Sequence, residues 1–386
     1  MKETRFKQTE IGLIPEDWKI ISLEEIGEPK MCKRILKNQT FIKGDIPFYK
    51  IGTFGGKADA YISKSLYEYY KKKFSFPQKG DVLISAAGTI GRLVIYQGED
   101  AYYQDSNIVW IDNKEEKLLN QYLYYTLKNT SWDTSQGTIQ RLYNASLKAK
   151  QIIIPLSINE QKKIASALTT IDNLLLSLDK LIEKKRLIKQ GAMQELLTGK
   201  KRLPGFAGEW VEKRLGELTK ICTGKRNGDE SRVFGKYPFF VRSQKVYRID
   251  SFSFDGEAIL VPGEGGIGDI FHYINGKFDY HQRVYKISNF NPSIIAMYVY
   301  YFMKFYFKEY ALAQSVKATV ESLRLPTFEN FIIRYPNNVQ EQKSIAKVLS
   351  SMDKEIESLE GKKAKYEQIK QGMMQQLLTG KIRLIS

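Results

Sequence analysis

Basic and amide side chains occur in short clusters along this 386-residue chain, and their types suit contact with nucleic acid. Arg and Lys bind guanine edges and phosphates, whereas Gln and Asn bind adenine. The candidate DNA-binding residues are Lys33, Arg34, Arg92, Gln136, Thr138, Gln140 and Arg141 in the first half, and Lys225, Arg226, Arg242, Gln244, Lys245, Gln282, Arg283 and Lys317 in the second. For each of them, a solvated surface charge or amide is the alternative interpretation.

Residues that could catalyse a reaction are harder to find. Residues 263–268 fit the glycine pattern of a dinucleotide-binding loop, but the sequence after them alternates like a strand and does not open a helix. His272 and His281 have no Cys or second His at the spacing of metal ligands. The sequence contains no Walker-type phosphate loop. We therefore expect a binding protein with no catalytic residues, no metal and no cofactor.

The charge of the chain favours a polyanionic partner. The net charge is +17, from 60 Lys and Arg against 43 Asp and Glu, and phosphate neutralisation releases counterions. Residues 1–12 lack the apolar core of a signal peptide, and the longest apolar stretch, 294–303, is about half as long as a bilayer span. Cys32 and Cys222 are the two cysteines, which fits a reducing compartment. We expect a cytoplasmic protein that binds DNA or RNA and no membrane.

A repeat predicts the elements that must position these side chains. Residues 160–203 recur as residues 341–384 at a constant displacement of 181 positions, and roughly half of the residues are identical. Apolar residues in both copies follow alternating steps of four and three, which is the seam of a two-helix coiled coil. The seam residues are Ile164, Leu168, Ile171, Leu175, Leu178 and Ile182, and Ile345, Leu349, Met352, Ile356 and Leu359. A long helix with one apolar stripe needs a partner, and the other copy can supply it.

The residues outside the repeat also form two halves. Short β-branched and aromatic runs between Gly, Pro and Asn predict mixed α/β domains, and Trp18 and Trp210 mark matching positions in them. We predict an α+β fold with two mixed α/β domains, two long antiparallel helices in a coiled coil, and a circular, pseudo-two-fold organisation. The predicted segments are domain 1 at 1–158, helix 1 at 159–199, domain 2 at 200–339, and helix 2 with a tail at 340–386.

This order of domain, helix, domain and helix resembles the specificity subunit of type I restriction–modification enzymes. The resemblance covers essentially the whole chain. It rests on Pro155 and Pro336, each followed by Glu-Gln after four residues, and on the Leu-Leu-Thr-Gly that ends each helix. It implies that each domain is a target-recognition domain for one half of a bipartite site in double-stranded DNA. It also implies that the helix pair sets the spacer and docks two methyltransferase (modification) subunits, and that motor-endonuclease (restriction) subunits join the full complex.

The repeat adds two expectations. Because the domains differ more than the helices do, the two half-sites should differ, so the DNA site should be asymmetric. Exposed helix positions, Glu183, Arg186, Glu357 and Gln368, are the candidate contacts with partner subunits. The alternatives are a stand-alone DNA-binding or scaffolding coiled-coil protein that is not coupled to restriction, and an independent nuclease or methyltransferase.

Overall fold

The computed structural model describes residues 4–132, 141–314 and 322–385. The predicted DNA-binding residues Gln136, Thr138, Gln140 and Lys317 lie outside these ranges. The chain divides into two compact units. Unit 1 comprises Met1–Leu178 and Lys362–Ser386, and unit 2 comprises Asp179–Gly361.

The described strands of unit 1 form a four-stranded sheet, a three-stranded sheet and two antiparallel pairs. They are β1 (Phe6–Thr9), β2 (Gly12–Pro15), β3 (Trp18–Ser22), β4 (Pro29–Lys30), β5 (Ile46–Tyr49), β6 (Ala60–Ile62), β7 (Val82–Ser85), β8 (Leu93–Ile95), β9 (Tyr102–Tyr103), β10 (Ile108–Ile111) and β11 (Gln151–Pro155). The larger sheet has the order β4-β10-β7-β8, and the smaller one has the order β6-β5-β9. Strands β7 and β10 are buried at every position, which explains their continuous apolar runs.

Helices cover these sheets and complete the core of unit 1. They are α1 (Lys64–Lys73), α2 (Asn120–Lys128), α3 (Asn144–Lys148) and the first part of α4 (Ile158–Leu196), with 3₁₀ turns at Leu23–Glu25 and Lys37–Gln39. Ser63 caps α1 by accepting the Leu66 N–H at 3.3 Å, as expected of a Ser before a helix. Helix α2 buries Tyr122, Leu123 and Leu127.

The described strands of unit 2 form a six-stranded sheet and one antiparallel pair. They are β12 (Trp210–Arg214), β13 (Lys220–Thr223), β14 (Tyr237–Phe240), β15 (Tyr247–Ile249), β16 (Phe254–Pro262), β17 (His272–Tyr280), β18 (Val284–Ser288) and β19 (Ile332–Pro336). The sheet order β13-β18-β16-β17-β14-β15 repeats that of unit 1. In unit 2 the long β17 takes the place of the separate strands β8 and β9. The four-stranded and three-stranded sheets of unit 1 therefore correspond to the single six-stranded sheet of unit 2.

Unit 2 has its own set of helices. They are α5 (Leu215–Leu218), α6 (Ala296–Gln314), α7 (Leu325–Glu329) and α8 (Val339–Leu377), with a 3₁₀ turn at Gly228–Glu230. Helix α6 contains much of the long apolar stretch and buries Tyr298, Phe302 and Phe307, so this stretch belongs to a helix packed in the core of unit 2. In the described part of the chain, no helix combines the length and apolar character needed to cross a membrane.

The two repeated segments are the long helices α4 and α8, each of 39 residues. In unit 1, Ile164 and Leu168 of α4 share a core with Leu377 at the end of α8. In unit 2, Ile345 and Leu349 of α8 share a core with Leu196 at the end of α4. The start of one helix thus meets the end of the other in each unit, so the predicted antiparallel pairing is confirmed.

Each long helix is fixed to its domain by a glutamine. The amide group of Gln161 donates to Pro155 O and Lys117 O, both at 2.9 Å, and its oxygen accepts the Leu119 N–H at 2.9 Å. Gln342 repeats this pattern in unit 2 with the backbone of residues 293, 295 and 336. Both side chains are 0 % exposed and bonded at both ends, as buried polar groups must be.

An arginine closes the start of each long helix. In unit 1, Arg383 lies over the Trp18 ring and bonds Glu160 at 2.6 Å and the exposed Asp17 at 2.6 Å. In unit 2, Arg202 bonds Glu341 at 2.5 and 2.6 Å and lies over the equivalent tryptophan. We call each set an arginine clamp. Residues 378–385 therefore complete unit 1 as the segment after α4 completes unit 2, which agrees with the predicted circular organisation.

Candidate nucleic-acid interface

The same turn follows the parallel strand pair in each unit. Strands β5 and β9 are parallel in unit 1, and β14 and β17 are parallel in unit 2. The Gln104 N–H then donates to Tyr49 O at 2.9 Å, and the His281 N–H donates to Phe240 O at 2.9 Å. Because these bonds match, Gln104 and His281 occupy equivalent positions, and the turns that they begin carry different side chains.

A cleft opens beside this turn in each unit. Cleft 1 has a volume of about 480 Å³ and contains Arg34, Lys37, Lys50, Gln104, Asp105 and Asn107 in its wall. Cleft 2 has a volume of about 400 Å³ and is lined by Gly228, Val241, Arg242, Tyr247, Gly265 and His281. The two clefts occupy equivalent positions in the fold, but different side chains line them.

Matching 3₁₀ turns border the clefts. In unit 1 the Leu36 N–H donates to Gln39 Oε1 at 2.8 Å, and in unit 2 the Asn227 N–H donates to Glu230 Oε1 at 2.7 Å. These capping contacts satisfy backbone donors that the turns would leave free. They hold the rim of each cleft in the same conformation although the sequences differ.

The turn in unit 1 brings two predicted residues together. Arg34 donates to Asp105 Oδ2 at 2.8 Å with its side chain 66 % exposed, and Arg141 donates to Ser106 O at 3.4 Å. Lys33 lies over the Phe74 ring and Arg92 donates to Phe54 O at 2.8 Å. Neither of the latter contacts involves the turn.

In unit 2 a carboxylate gathers two other predicted residues. Glu264 Oε1 accepts from Arg283 at 2.9 Å, and its Oε2 accepts from Arg242 at 3.1 Å. Unit 2 has another cleft, cleft 3, with a volume of about 580 Å³. Its wall includes Glu264, Gln282 and Arg283. The side chains of Arg242 and Arg283 are 50 % and 59 % exposed, so both retain contact with solvent.

Arg226, a predicted DNA-binding residue, forms hydrogen bonds within the protein through its whole guanidinium group. Its three guanidinium nitrogens donate to Asp279, Glu230 and Ser251 at 3.1, 2.9 and 2.9 Å. The hydrogen bond with Asp279, reinforced by its charge, raises the pKa of Arg226 above its usual value. These contacts tie the 3₁₀ turn to the sheet, so Arg226 holds the rim of cleft 2 in place.

The remaining predicted residues of unit 2 are exposed. Lys225, Gln244 and Lys245 lie on loops at the surface, and Lys245 lies 5.2 Å from the Tyr247 ring centroid. Gln282 donates to Asn227 Oδ1 at 2.8 Å. The loop that carries Gln244 is held by His272, whose Nε2 lies 3.0 Å from Ser243 O.

His281 is the ionisable group nearest to the two arginines. Its pKa is lowered by burial, and further by the charges of Arg242 and Arg283, while Glu264 opposes the shift. The ring is therefore neutral near pH 7, and Nδ1 accepts the Arg283 N–H at 2.9 Å. The hydrogen-bond pattern assigns the proton to Nε2, which leaves one donor at the wall of cleft 2.

Glu264 is the main residue that the sequence interpretation missed. It lies in the glycine-rich segment 263–268, which forms a turn with positive φ at Gly265, Gly266 and Gly268. The acid within that segment was a visible signal, but its partners come from two distant loops. Among the described residues, no group of three or more His, Cys, Asp or Glu side chains could hold a metal ion.

The predicted partner contacts lie on the surface of the long helices. Glu183, Glu357 and Gln368 are exposed. Arg186 is 63 % exposed and pairs with Glu360 at 2.5 Å within unit 2. Large apolar side chains lie beside them in the sequence, including Leu187 at 62 % exposure, so these helix surfaces are not purely polar.

Comparisons with known proteins agree with this architecture. A protein of Haemophilus influenzae that carries the name of a type I restriction enzyme specificity subunit is 55 % identical over 174 residues, which is 45 % of each chain. The MjaVIII specificity subunit of Methanocaldococcus jannaschii is 25 % identical over 99 % of this chain and 97 % of its own. The type I restriction–modification S subunit from M. genitalium has a similar fold, with a TM-score of 0.70 at 18 % identity over 93 % of this chain and 96 % of that one.

The family evidence covers both halves of the chain. The family described as "Type I restriction modification DNA specificity domain" matches residues 15–189 and 207–368. Each match contains one mixed domain, the turn at its cleft and most of one long helix. This chain belongs to the type I restriction–modification DNA specificity family.

Proposed function

We propose that this chain is the DNA-recognition subunit of a type I restriction–modification complex, with each mixed domain binding one half of an asymmetric bipartite site. The observation that carries the proposal is the pair of equivalent clefts. Cleft 1 has Arg34, Lys37 and Gln104 in its wall, whereas cleft 2 has Arg242 and His281. Two clefts in the same position with unlike donors and acceptors suit two different base sequences.

We assign the base and phosphate contacts to the candidates around these clefts whose side chains are exposed or partly exposed. They are Arg34 and Arg141 at the unit 1 turn, Arg242, Gln282 and Arg283 at the unit 2 turn, and Lys225, Gln244 and Lys245 on nearby loops. Lys33 and Arg92 stay in the proposal as exposed basic residues of unit 1, as do Gln136, Thr138, Gln140 and Lys317 from sequence alone. Arg226 acts through the loop that it holds, since its nitrogens are already bonded.

The long helices supply spacing and docking in this proposal. Two methyltransferase subunits would bind the helix surfaces around Glu183, Arg186, Glu357 and Gln368, and motor-endonuclease subunits would join the full complex. Leu187 and Ile188, at 62 % and 47 % exposure, support a protein contact there, because a mixed apolar and charged surface is typical of an interface. The chemistry would reside in those partners, and this chain would act in the cytoplasm without a cofactor of its own.

The test is to produce the chain with its modification subunit in cells and to map methylated adenines across the genome. We expect one asymmetric motif with two half-sites and an unread spacer. R34A should change one half-site and R242A the other, so each variant controls for the other. Methylation without a bipartite motif, or the same half-site altered by both variants, would refute the assignment.

Salt dependence separates this function from that of a scaffold. Binding of the purified complex to duplex DNA should weaken steeply as salt rises, because phosphate contacts release counterions. A scaffolding coiled-coil protein should show no such DNA binding. Cleavage or methylation of DNA by the chain alone would instead favour an independent enzyme.

A further inference from the structure

Glu264 holds two arginines with one carboxylate. It follows β16, its side chain is 18 % exposed, and each of its oxygens accepts from a different arginine. Arg283 comes from the turn after β17, and Arg242 comes from the loop after β14. The carboxylate therefore fixes the relative position of side chains that belong to separate loops. We call this set the arginine fork.

Both arginines keep part of their binding capacity. Each contact with Glu264 uses Nη1, and half or more of each arginine side chain is exposed. A guanidinium has five N–H donors in a fixed plane, so an arginine bonded through Nη1 can still offer Nε and Nη2 to a second planar acceptor. Guanine presents such a pair, O6 and N7, in the major groove.

The backbone leaves space next to the fork. Gly265 and Gly266 have φ of +70° and +76°, and a Cβ at Gly265 would meet no atom within 4 Å. Arg242 lies in the wall of cleft 2 and Arg283 in the wall of cleft 3. The fork therefore joins two clefts, and the glycines beside Glu264 allow a base-pair edge to approach closely.

The equivalent position in unit 1 has no carboxylate. Glu264 faces Ser322 across an isolated bridge, and Ala87 faces Arg141 across the matching bridge of unit 1. The arginine fork is thus specific to the second domain, although the backbone has the same conformation at this position in both domains.

We propose that Glu264 is a positioning residue for DNA specificity, which presents Arg242 and Arg283 to guanines in the half-site read by the second domain. The proposal rests on the proposed function. An arginine held by a carboxylate loses less conformational entropy on binding. Glu264 itself bonds the arginines and not the DNA.

The test compares E264A and E264Q with wild type, each produced with its modification subunit, on a plasmid library randomised in both half-sites. Methylation is read by sequencing. We expect E264A to lower the preference for guanine at one or two positions of the second half-site by about 10- to 100-fold, with E264Q intermediate. The first half-site serves as the folding control and should stay unchanged. E212A, which removes the exposed partner of Arg334, is the matched charge control.

The outcomes separate the two proposals. If wild type yields no bipartite motif, the proposed function fails. If wild type yields the motif and both Glu264 variants keep every guanine preference, the fork proposal alone is refuted. A change confined to A·T pairs would also refute it, because the O6 and N7 acceptors of guanine occur only in G·C pairs. If E264A abolishes all methylation, E264Q decides, since relaxed guanine preference supports the proposal and an unchanged motif overturns it.

Discussion

Arg383 and Arg202 each neutralise a glutamate that solvent does not reach. The side chains of Glu160 and Glu341 are 1 % and 0 % exposed. A buried carboxylate is tolerated only while it is paired and hydrogen-bonded. The stability of each unit therefore depends on its arginine clamp more than on the many exposed ion pairs of this basic chain.

R383A should destabilise unit 1. It leaves Glu160 buried without its partner, so we expect the free energy of unfolding of unit 1 to fall by about 3–5 kcal/mol. Urea unfolding followed by hydrogen exchange of unit 1 amides measures the change. D17N is the control, because Asp17 is 65 % exposed and its loss should cost under about 1 kcal/mol. Equal losses in the two variants would contradict the role of burial.

The buried histidines predict how unit 2 responds to acid. Burial lowers the pKa of His272 and of His281 below 6.5. The unfolded chain therefore binds more protons than the folded one as pH falls through 6.5, and stability must decrease in that window. We expect a lower urea midpoint for unit 2 at about pH 5.5 than at about pH 7.5.

H272Q tests the cause of that pH dependence. Gln does not titrate, so the variant should lose less stability between the two pH values than wild type does. Asp17, whose pKa is lowered by its hydrogen bond with Arg383, adds a separate loss in unit 1 only when pH falls to about 3.8 and below. An unchanged pH dependence of unit 2 in H272Q would assign the effect to other groups.

At the scale of elements, a lysine–aspartate pair recurs where each long helix passes its domain. Lys370 bonds Asp172 in unit 1, and Lys189 bonds Asp353 in unit 2. A tyrosine from the neighbouring domain helix donates to each aspartate, Tyr125 at 2.9 Å and Tyr301 at 2.7 Å. Each pair thus links both long helices to a domain.

K370M should weaken unit 1 and K189M should weaken unit 2. Each removes a charge-assisted bond to a half-buried aspartate, so we expect a loss of about 1–3 kcal/mol in the affected unit. The double variant D172L/K370M should lose less than the sum of the single losses, because no unpaired charge remains. Additive losses in a double-mutant cycle measured by urea unfolding would show that the pair is not coupled.

The helices were predictable because their signal is local and repeated. Ile164 and Leu168 follow the heptad pattern, and the structure buries both fully. Lys189 and Lys370 lie beyond the predicted seam residues. The heptad pattern did not reveal their partners, because Asp353 and Asp172 are brought near by antiparallel pairing across distant segments.

The site was predictable only in part, for a related reason. Arg242 and Arg283 stood out as basic residues, yet Glu264 was not identified as a site residue, because its contacts are not local. The sequence contains no sign that Arg226 has a partner within the protein, since nothing in it places Asp279 beside Arg226. Propensity and spacing describe neighbours in the chain, and the clefts are assembled from loops far apart in it.

At the scale of the whole molecule, helix length should set the distance between half-sites. Insertion of one heptad into each long helix, near Leu181 and near Gly361, preserves the seam and adds about 10 Å. We expect the spacer of the methylated motif to grow by about 3 base pairs, with both half-sites unchanged. Methylome sequencing of the variant complex measures this.

A heptad inserted into α4 alone is the matched control. It lengthens one helix without the other, so the lysine–aspartate pairs and arginine clamps cannot all form, and methylation should be lost. If the double insertion left the spacer unchanged, the helix pair would not be the element that sets the spacing.

The arginine clamp of unit 1 also imposes an order of assembly on the nascent chain. Unit 2 is one continuous segment, Asp179–Gly361, whereas unit 1 needs Lys362–Ser386 as well as Met1–Leu178. On the ribosome, Glu160 therefore emerges long before Arg383 is synthesised. The half that is translated first is therefore completed last, and until then the start of α4 carries Glu160 without the arginine that neutralises it.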